Sequence, residues 1–315
     1  MTLPLGLRQV MGSAGVVGGL AVWALAGPPA LPAPTLGGQA PLAVGWARLV
    51  ASGSLTAVNE SSHTVTLAIA GLAHLEEFAG GGAWRSQTFS GTRVVYLLPS
   101  TLFIDAARHP LSAAKVRTGD ASTVWAVVRP DATILALALQ VTSLARFQAV
   151  RTDPYAAPGA ATTGTVGVVL ERSGSMLDML TPAGTRRSVV MTAATAIGSG
   201  GPPVAGSALA PYDILRIEGP VNSDGSIAAT RIDVQFAASS AAQVSGPVER
   251  SLNDLGGLVV GQTMIATSTD TYIIMRAALA RFGDLDPGRP VTVYGTAVRA
   301  GDTPIGLQAR VVLAR

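Results

Sequence analysis

The chain has 315 residues, of which 48% are hydrophobic and only 13% are charged. This length can hold two or three domains with real cores. Glycine (36) and proline (20) are abundant, which favours short strands joined by turns over long helices. The net charge of +3 comes from scattered arginines, so it does not indicate a nucleic-acid partner. Cysteine is absent, which excludes disulfides, thiolate metal sites and cysteine nucleophiles.

The N-terminal segment is typical of a secretory signal. Arg8 precedes the uncharged apolar run Val10–Leu25, and the run ends at Ala26 in an A-x-A-like pattern. This pattern predicts a signal peptide over residues 1–26, with an uncleaved anchor as the alternative. Residues 27–45 form a Pro/Ala/Gly spacer. We therefore expect export to the cell envelope or the extracellular space, with membrane contact only through an uncleaved segment.

One pattern organises the remaining chain. The segment Leu215–Phe236 is predicted to be a strand, a turn and a second strand, because apolar and polar residues alternate around a polar centre. Asp224 and Gly225 supply a pair that tolerates positive φ in a tight turn. The same shape returns at Val291–Val298 with Ile305–Val311. The sequence therefore predicts a repeated β unit.

The repeat divides the chain into three units. Equal numbers of residues separate Thr195 from Gly219 and Thr271 from Gly295. Five or six short strands in each unit predict a small closed barrel or a sandwich, and we favour the barrel because closure leaves no unpaired strand edge. The predicted divisions are barrel one at 46–143 with an insert at 70–93, a linker at 144–162, barrel two at 163–237 and barrel three at 243–315.

Glycines recur at fixed places in the pattern. Gly53, Gly164 and Gly246 open the three units and are predicted to mark a bend or bulge in the first strand. Gly219 and Gly295 end a later strand, and we interpret them as backbone devices as well.

The order of inward-facing residues predicts a further irregularity. In the second unit the apolar residues change parity near Thr230, which predicts a bulge there. In the third unit the apolar residues from Ile305 to Leu313 keep one parity, so no break is expected.

The pattern also resembles a known family. Ser-Gly-x-Val, a polar turn, a Thr-x-Ile strand, and Val-x-Val-x-Gly followed by Asp-Gly-x-Ile-x-Ala are similar to secreted bacterial repeats described as a domain of unknown function. The similarity covers residues 48–313; the first unit is diverged, with Pro130 and Asp131 at the Gly and Asp-Gly positions. The resemblance implies export, OB-like barrels and no active site. The expected fold class is all-β, with three tandem OB-like β-barrels after the signal segment.

No catalytic, metal-binding or cofactor-binding residues are predicted. His63, His74 and His109 match no ligand spacing, and we expect them to be solvated surface residues. A G-x-S-x-G motif is absent. The glycine-rich stretch at 198–201 has no following lysine, so it does not predict a phosphate site.

Aromatic residues in the insert are the candidate recognition loop. Phe78, Trp84 and Phe89 lie in a glycine-rich segment that interrupts the repeat. They either bind a ligand, or they plug a barrel end or pack between units. We expect a non-catalytic structural or adhesive protein that binds a protein or envelope polymer, with self-association as a further mode of interaction. The alternative is a carbohydrate- or wall-polymer-binding module that uses this insert, and a hydrolase is the third interpretation.

Overall fold

The computed structural model describes residues 46–77, 85–143, 164–198, 209–252 and 256–315. The predicted signal segment, spacer and linker lie outside the described residues. In this part of the chain strands dominate, with three short 3-10 helices at 113–115, 238–240 and 282–284. Within these ranges, no helix has the length and apolar character needed to cross a membrane. The predicted all-β class is confirmed.

Barrel one is a closed five-stranded barrel. Its strand order is first-second-third-fifth-fourth, and the third and fifth strands run parallel. This is the topology of the OB fold, a small Greek-key barrel. The strands are β1 (Ala47–Asn59), β2 (Thr64–Glu77), β3 (Arg85–Asp105), β4 (Ala121–Val128) and β5 (Ile134–Val141).

Barrel two has the same order with two strands divided. Two short strands together replace the third strand, and two others replace the fifth; their pairings are again parallel. The strands are β6 (Thr165–Ser173), β7 (Met176–Leu180), β8 (Arg186–Val190), β9 (Ala196–Gly198), β10 (Ile214–Glu218), β11 (Ile227–Ala228) and β12 (Arg231–Phe236).

Barrel three repeats the arrangement with an added hairpin strand. Its third strand is divided into two, both parallel to the last strand, and the second half pairs with a two-residue strand. The strands are β13 (Ala242–Leu252), β14 (Gly257–Val260), β15 (Thr263–Ala266), β16 (Tyr272–Met275), β17 (Ala278–Leu279), β18 (Pro290–Ala300) and β19 (Thr303–Ala314). The prediction of three OB-like barrels is therefore confirmed.

A pair of backbone hydrogen bonds recurs in all three barrels. One buried residue of the first strand donates its N–H to, and accepts an N–H from, the turn before the fourth strand, at 2.7–2.9 Å. These bonds align the barrels residue by residue. The three sets are Leu55 with Asp120 and Gly119, Val169 with Asp213 and Tyr212, and Val248 with Arg289 and Gly288.

This alignment corrects one of the predicted glycines. Gly53 and Gly246 lie two residues before Leu55 and Val248, which make these hydrogen bonds. The residue two positions before Val169 in barrel two is Gly167, not Gly164. A Cβ on Gly167 would lie 3.0 Å from the carbonyl oxygen of Leu180 in the next strand, so the glycine permits close strand approach. Gly164 precedes β6 with a φ of +103°.

The later glycines allow two strands to approach closely or a turn to adopt a left-handed backbone conformation. A Cβ on Gly219 or Gly295 would overlap a carbonyl oxygen of the facing fifth strand. Gly225 has a φ of +82°, as its turn requires. Asp224 closes that turn by accepting the Ser226 N–H at 2.9 Å, and the Ser226 hydrogen bonds hold the pKa of Asp224 below its ordinary value.

The predicted alternation of buried residues along the last strands was right in barrel two and wrong in barrel three. Buried residues change parity around Thr230, through a gap between β11 and β12 rather than a bulge in one strand. In barrel three the predicted unbroken parity is wrong. The register of β18 and β19 leaves Arg310 as an extra residue, and Val311 and Val312 are both fully buried. Val311 faces barrel two and Val312 faces the core of barrel three.

Barrel three packs against both other barrels. One apolar cluster joins it to barrel one, where the Trp125 ring occupies the space beside Gly257. A second cluster joins it to barrel two. The first contains Trp46, Val50, Trp125 and Leu137 with Met264, Ala266, Val298 and Ile305; the second contains Val168, Leu180 and Ile214 with Tyr272, Ile274 and Val311.

Candidate functional site

A cleft of about 540 Å³ lies where barrels two and three meet. Its volume is in the range of small-molecule binding sites. Barrel two contributes Leu170 and Tyr212, and the rest of the wall comes from β13, β16, β18, β19 and the turn after β16. The polar and aromatic lining residues of barrel three are Gln243, Ser245, Arg276, Thr292, Tyr294 and Arg315.

Two tyrosines from different barrels stack in this cleft. The ring centroids of Tyr212 and Tyr294 are 5.7 Å apart and the planes are inclined by 25°, an offset arrangement that aromatic pairs favour. Burial, helped by the neighbouring Tyr212, raises the pKa of Tyr294, and the Arg315 guanidinium opposes this rise. Both half-buried rings therefore offer aromatic surface to the cleft.

Tyr212 holds its ring in place with an uncommon backbone conformation. Its φ is +72°, and the equivalent turn positions of the other barrels are Gly119 at +95° and Gly288 at +88°. A bulky residue in this region costs energy that glycine avoids. Barrel two thus carries a strained tyrosine where its sister barrels carry glycine, and such strain often marks a functional position.

The turn between β16 and β17 carries two more left-handed residues at the rim. Arg276 has a φ of +50° and Ala277 of +59°, in a two-residue hairpin loop that normally favours Asn-Gly. The Ala277 carbonyl accepts a hydrogen bond from Arg186 of barrel two at 2.9 Å. Among the described residues, six other than glycine have left-handed φ, and half of them line this cleft.

A row of neutral polar groups covers one wall. The Ser245 hydroxyl donates to Thr292 at 3.1 Å, and the Gln243 amide donates to Ser245 at 3.4 Å. The described lining includes arginines and tyrosines but neither a carboxylate side chain nor a histidine. Such a wall can bind a polar or anionic ligand.

A second groove, of about 320 Å³, lies at the junction of all three barrels. Arg108 of barrel one places its guanidinium 4.7 Å from the ring centroid of Phe282, and its carbonyl accepts the Thr269 N–H at 3.1 Å. Burial lowers the pKa of Arg108. Because its charge is directed onto an aromatic ring, Arg108 joins barrels one and three by a cation–π contact.

The predicted recognition loop is only partly covered by the structure. Phe78 and Trp84 lie outside the described residues. The backbone of Phe89 lies in β3, opposite Gly71 of β2. The insert therefore includes a long extension of the β2–β3 hairpin, so Phe89 lies in a strand and not in the loop that the sequence suggested.

The histidines differ from one another. His63 lies in an exposed turn, as predicted. His109 does not fit the prediction of a solvated residue, because its ring nitrogen lies 3.1 Å from the buried Asp105 carboxylate. The side chain of His74 lies outside the described part of the chain. Within that part, no cluster of three or more His, Cys, Asp or Glu residues could hold a metal ion.

Comparison with known proteins gives one match to a family model. Residues 185–233, within barrel two, match the family described as a domain of unknown function (DUF5666). The Drosophila structure Unr CSD456 is 11% identical with a TM-score of 0.18, covering 87% of this chain and 95% of that one. A multidomain protein with nucleic acid binding domains from Streptococcus pneumoniae is 12% identical with a TM-score of 0.16, covering 82% and 72% respectively. No curated protein matches the chain. The molecule thus has three OB-like barrels, and part of the second barrel matches the model of a domain of unknown function.

Proposed function

We propose that this protein is a non-catalytic, exported component of a bacterial cell envelope that binds an envelope polymer or protein. The observation that carries the proposal is the cleft between barrels two and three. It combines a tyrosine stack, neutral hydrogen-bonding groups and arginines, and its described lining includes no carboxylate side chain or histidine for proton transfer. These groups suit recognition better than catalysis.

Export is supported by the N-terminal pattern. Arg8, the apolar run and the small residues at 24–26 fit a signal peptide. The resemblance of barrels two and three to secreted repeats points the same way. Fractionation of the bacterial host, with detection of the mature N-terminus by mass spectrometry, tests this part. A protein found wholly in the cytosol with residues 1–26 intact would contradict it.

Binding to a polar partner is favoured over self-assembly through an apolar surface. Among the described residues, Val94 and Met176 are the only large hydrophobic side chains that are strongly exposed, each at 48%. Monomers that associate through apolar patches expose larger contiguous areas. The apolar faces of the barrels are already used against one another.

Co-sedimentation tests the proposed function directly. Purified mature protein is mixed with washed envelope fragments and centrifuged, and the heat-unfolded protein serves as the control for non-specific pelleting. We expect the folded protein to pellet with the fragments in a saturable manner. Failure to pellet, or pelleting equal to that of the control, would overturn the proposed envelope role.

A further inference from the structure

We propose that the cleft between barrels two and three binds a polysaccharide that carries carboxylate groups, through its sugar rings and its charge. This inference rests on the proposed envelope-binding function and names its ligand class. It moves the predicted polymer site from the aromatic insert at 70–93 to a place that the sequence did not indicate.

Charge complementarity is the first argument. Arg276 and Arg315 are exposed at the cleft rim, and the described lining contains no acidic side chain to neutralise them. A guanidinium binds a carboxylate with two parallel hydrogen bonds, which suits a uronic acid. A neutral polymer would leave both charges without a partner.

The walls supply the groups that sugar rings need. The Tyr212–Tyr294 stack offers aromatic surface against which the apolar face of a ring can pack. Gln243, Ser245 and Thr292 provide neutral donors and acceptors for ring hydroxyls. A cleft of about 540 Å³ is large enough for one or two sugar units.

Strain at the rim indicates that these positions are held for a purpose. Arg276 and Tyr212 both occupy left-handed backbone conformations, in a turn type and a repeat position where glycine is favoured. Single-stranded nucleic acid is a weaker candidate, because it needs a basic groove that follows successive phosphates and several stacking aromatics. The cleft instead has one aromatic pair and a wall of neutral groups.

Two left-handed positions offer a matched pair of variants. Arg276→Gly and Ala132→Gly relieve the same kind of backbone strain, but only the first removes a guanidinium, and Ala132 lies in barrel one, outside the cleft lining. Arg299→Glu alters an exposed arginine of barrel three whose guanidinium donates to the Asp302 carbonyl at the β18–β19 turn, and it controls for general charge attraction.

The experiment measures the affinity of the mature full-length protein for polygalacturonate, for dextran and for oligothymidylate by isothermal titration calorimetry. We expect binding to polygalacturonate and none to dextran. Arg276→Gly should weaken binding about tenfold, the effect of losing one charge-assisted hydrogen-bond pair. Ala132→Gly and Arg299→Glu should bind within about twofold of the wild type.

The inference would be overturned by no binding to polygalacturonate, by equal binding to dextran, or by tighter binding to oligothymidylate. Equal losses in Arg276→Gly and Arg299→Glu would also overturn it, since they would show unspecific attraction. If wild type and Arg276→Gly pellet equally with envelope fragments, the cleft is not the site but the envelope role stands. If the wild type does not pellet, the proposed function itself fails.

Discussion

Arg48 of barrel one, only 2% exposed, donates a hydrogen bond of 2.6 Å to the backbone carbonyl of Gln262 in barrel three, 214 residues further along the chain. A buried charge is costly unless its donors are satisfied. Because the accepting carbonyl belongs to barrel three, this contact is made only when barrels one and three are docked. Arg48 lies beside the apolar cluster that joins them. The first and third barrels thus depend on each other although barrel two separates them in sequence.

Filling the space beside Trp125 should weaken this docking. A Cβ at Gly257 would overlap the Trp125 ring, so we expect Gly257→Ala to lower the free energy of unfolding by about 1–3 kcal/mol. Gly283→Ala is the matched control, because its Cβ meets no atom within 4 Å. Urea unfolding measures both variants. Equal stabilities would contradict the described packing of Trp125 on Gly257.

The strained turn at Tyr212 predicts an unusual order of stabilities. Tyr212→Gly loses the ring but relieves the left-handed backbone, whereas Tyr212→Ala loses the ring and keeps the strain. We expect the glycine variant to be more stable than the alanine variant by about 1 kcal/mol. Thermal unfolding of the two proteins compares them. An alanine variant at least as stable as the glycine variant would show that the φ of +72° carries no cost.

A threonine hydroxyl bridges the third and fifth strands in every barrel. In barrel three, Thr271 accepts the Ser268 N–H at 3.1 Å and donates to the Ala309 carbonyl at 2.8 Å. Thr271→Val should lower the free energy of unfolding by about 1–2 kcal/mol, because the Ser268 N–H and the Ala309 carbonyl lose their hydrogen bonds to the hydroxyl. The exposed Thr118 supplies the control, Thr118→Val. The equivalent threonines of the other barrels are Thr101 and Thr195.

That threonine illustrates what the sequence can and cannot predict. The shared spacing of Thr195 and Thr271 was readable and correctly aligned barrels two and three. Thr101 could not be aligned with them, because it lies within the unbroken strand β3 of the diverged first unit, whereas the third strands of barrels two and three are divided. Gly164 was aligned in place of Gly167 because Thr-Gly and Ser-Gly look alike in sequence, whereas only the hydrogen bonds of Val169 show which glycine faces the next strand.

Contacts between barrels could not be predicted at all. Alternation identifies a strand's inward face, but the outward faces of β5 and β19 are also buried, against neighbouring barrels. For this reason the extra residue at Arg310 could not be predicted from the alternation of apolar residues. The cleft was missed for the same reason, since Tyr212 and Tyr294 come from different barrels. An alignment that matched Tyr212 with Gly119 and Gly288 would have given the one available signal.

Asp213 should give the stability a measurable pH dependence. Its buried carboxylate accepts the N–H groups of Ala210 and Ala238, each at 2.8 Å. Burial raises its pKa above the ordinary value of 3.8, and the two hydrogen bonds oppose the rise. The folded state then binds this proton more tightly than the unfolded state does, so the contribution of Asp213 falls as the pH rises from about 3.8 through the raised pKa.

Asp213→Asn isolates this effect because asparagine does not titrate. The difference in unfolding free energy between wild type and variant, measured by urea unfolding from acid to neutral pH, should be largest at the acid end and decline as the pH rises. A difference that grows with pH would mean that the two N–H groups outweigh burial and that the pKa of Asp213 is lowered instead.

The three barrels form one body, and the cleft between barrels two and three is a fixed feature of it. The absence of native cysteine allows spin labels to be placed cleanly at Thr118, Met176 and Arg299, one exposed site on each barrel. Pulsed electron–electron double resonance on the Thr118–Arg299 and Met176–Arg299 pairs measures the distances between barrels. Docked barrels predict a single narrow distance distribution for each pair. Broad distributions for folded protein would contradict this docked arrangement, because barrels joined only by linkers cannot hold either the Arg48 contact or the cleft.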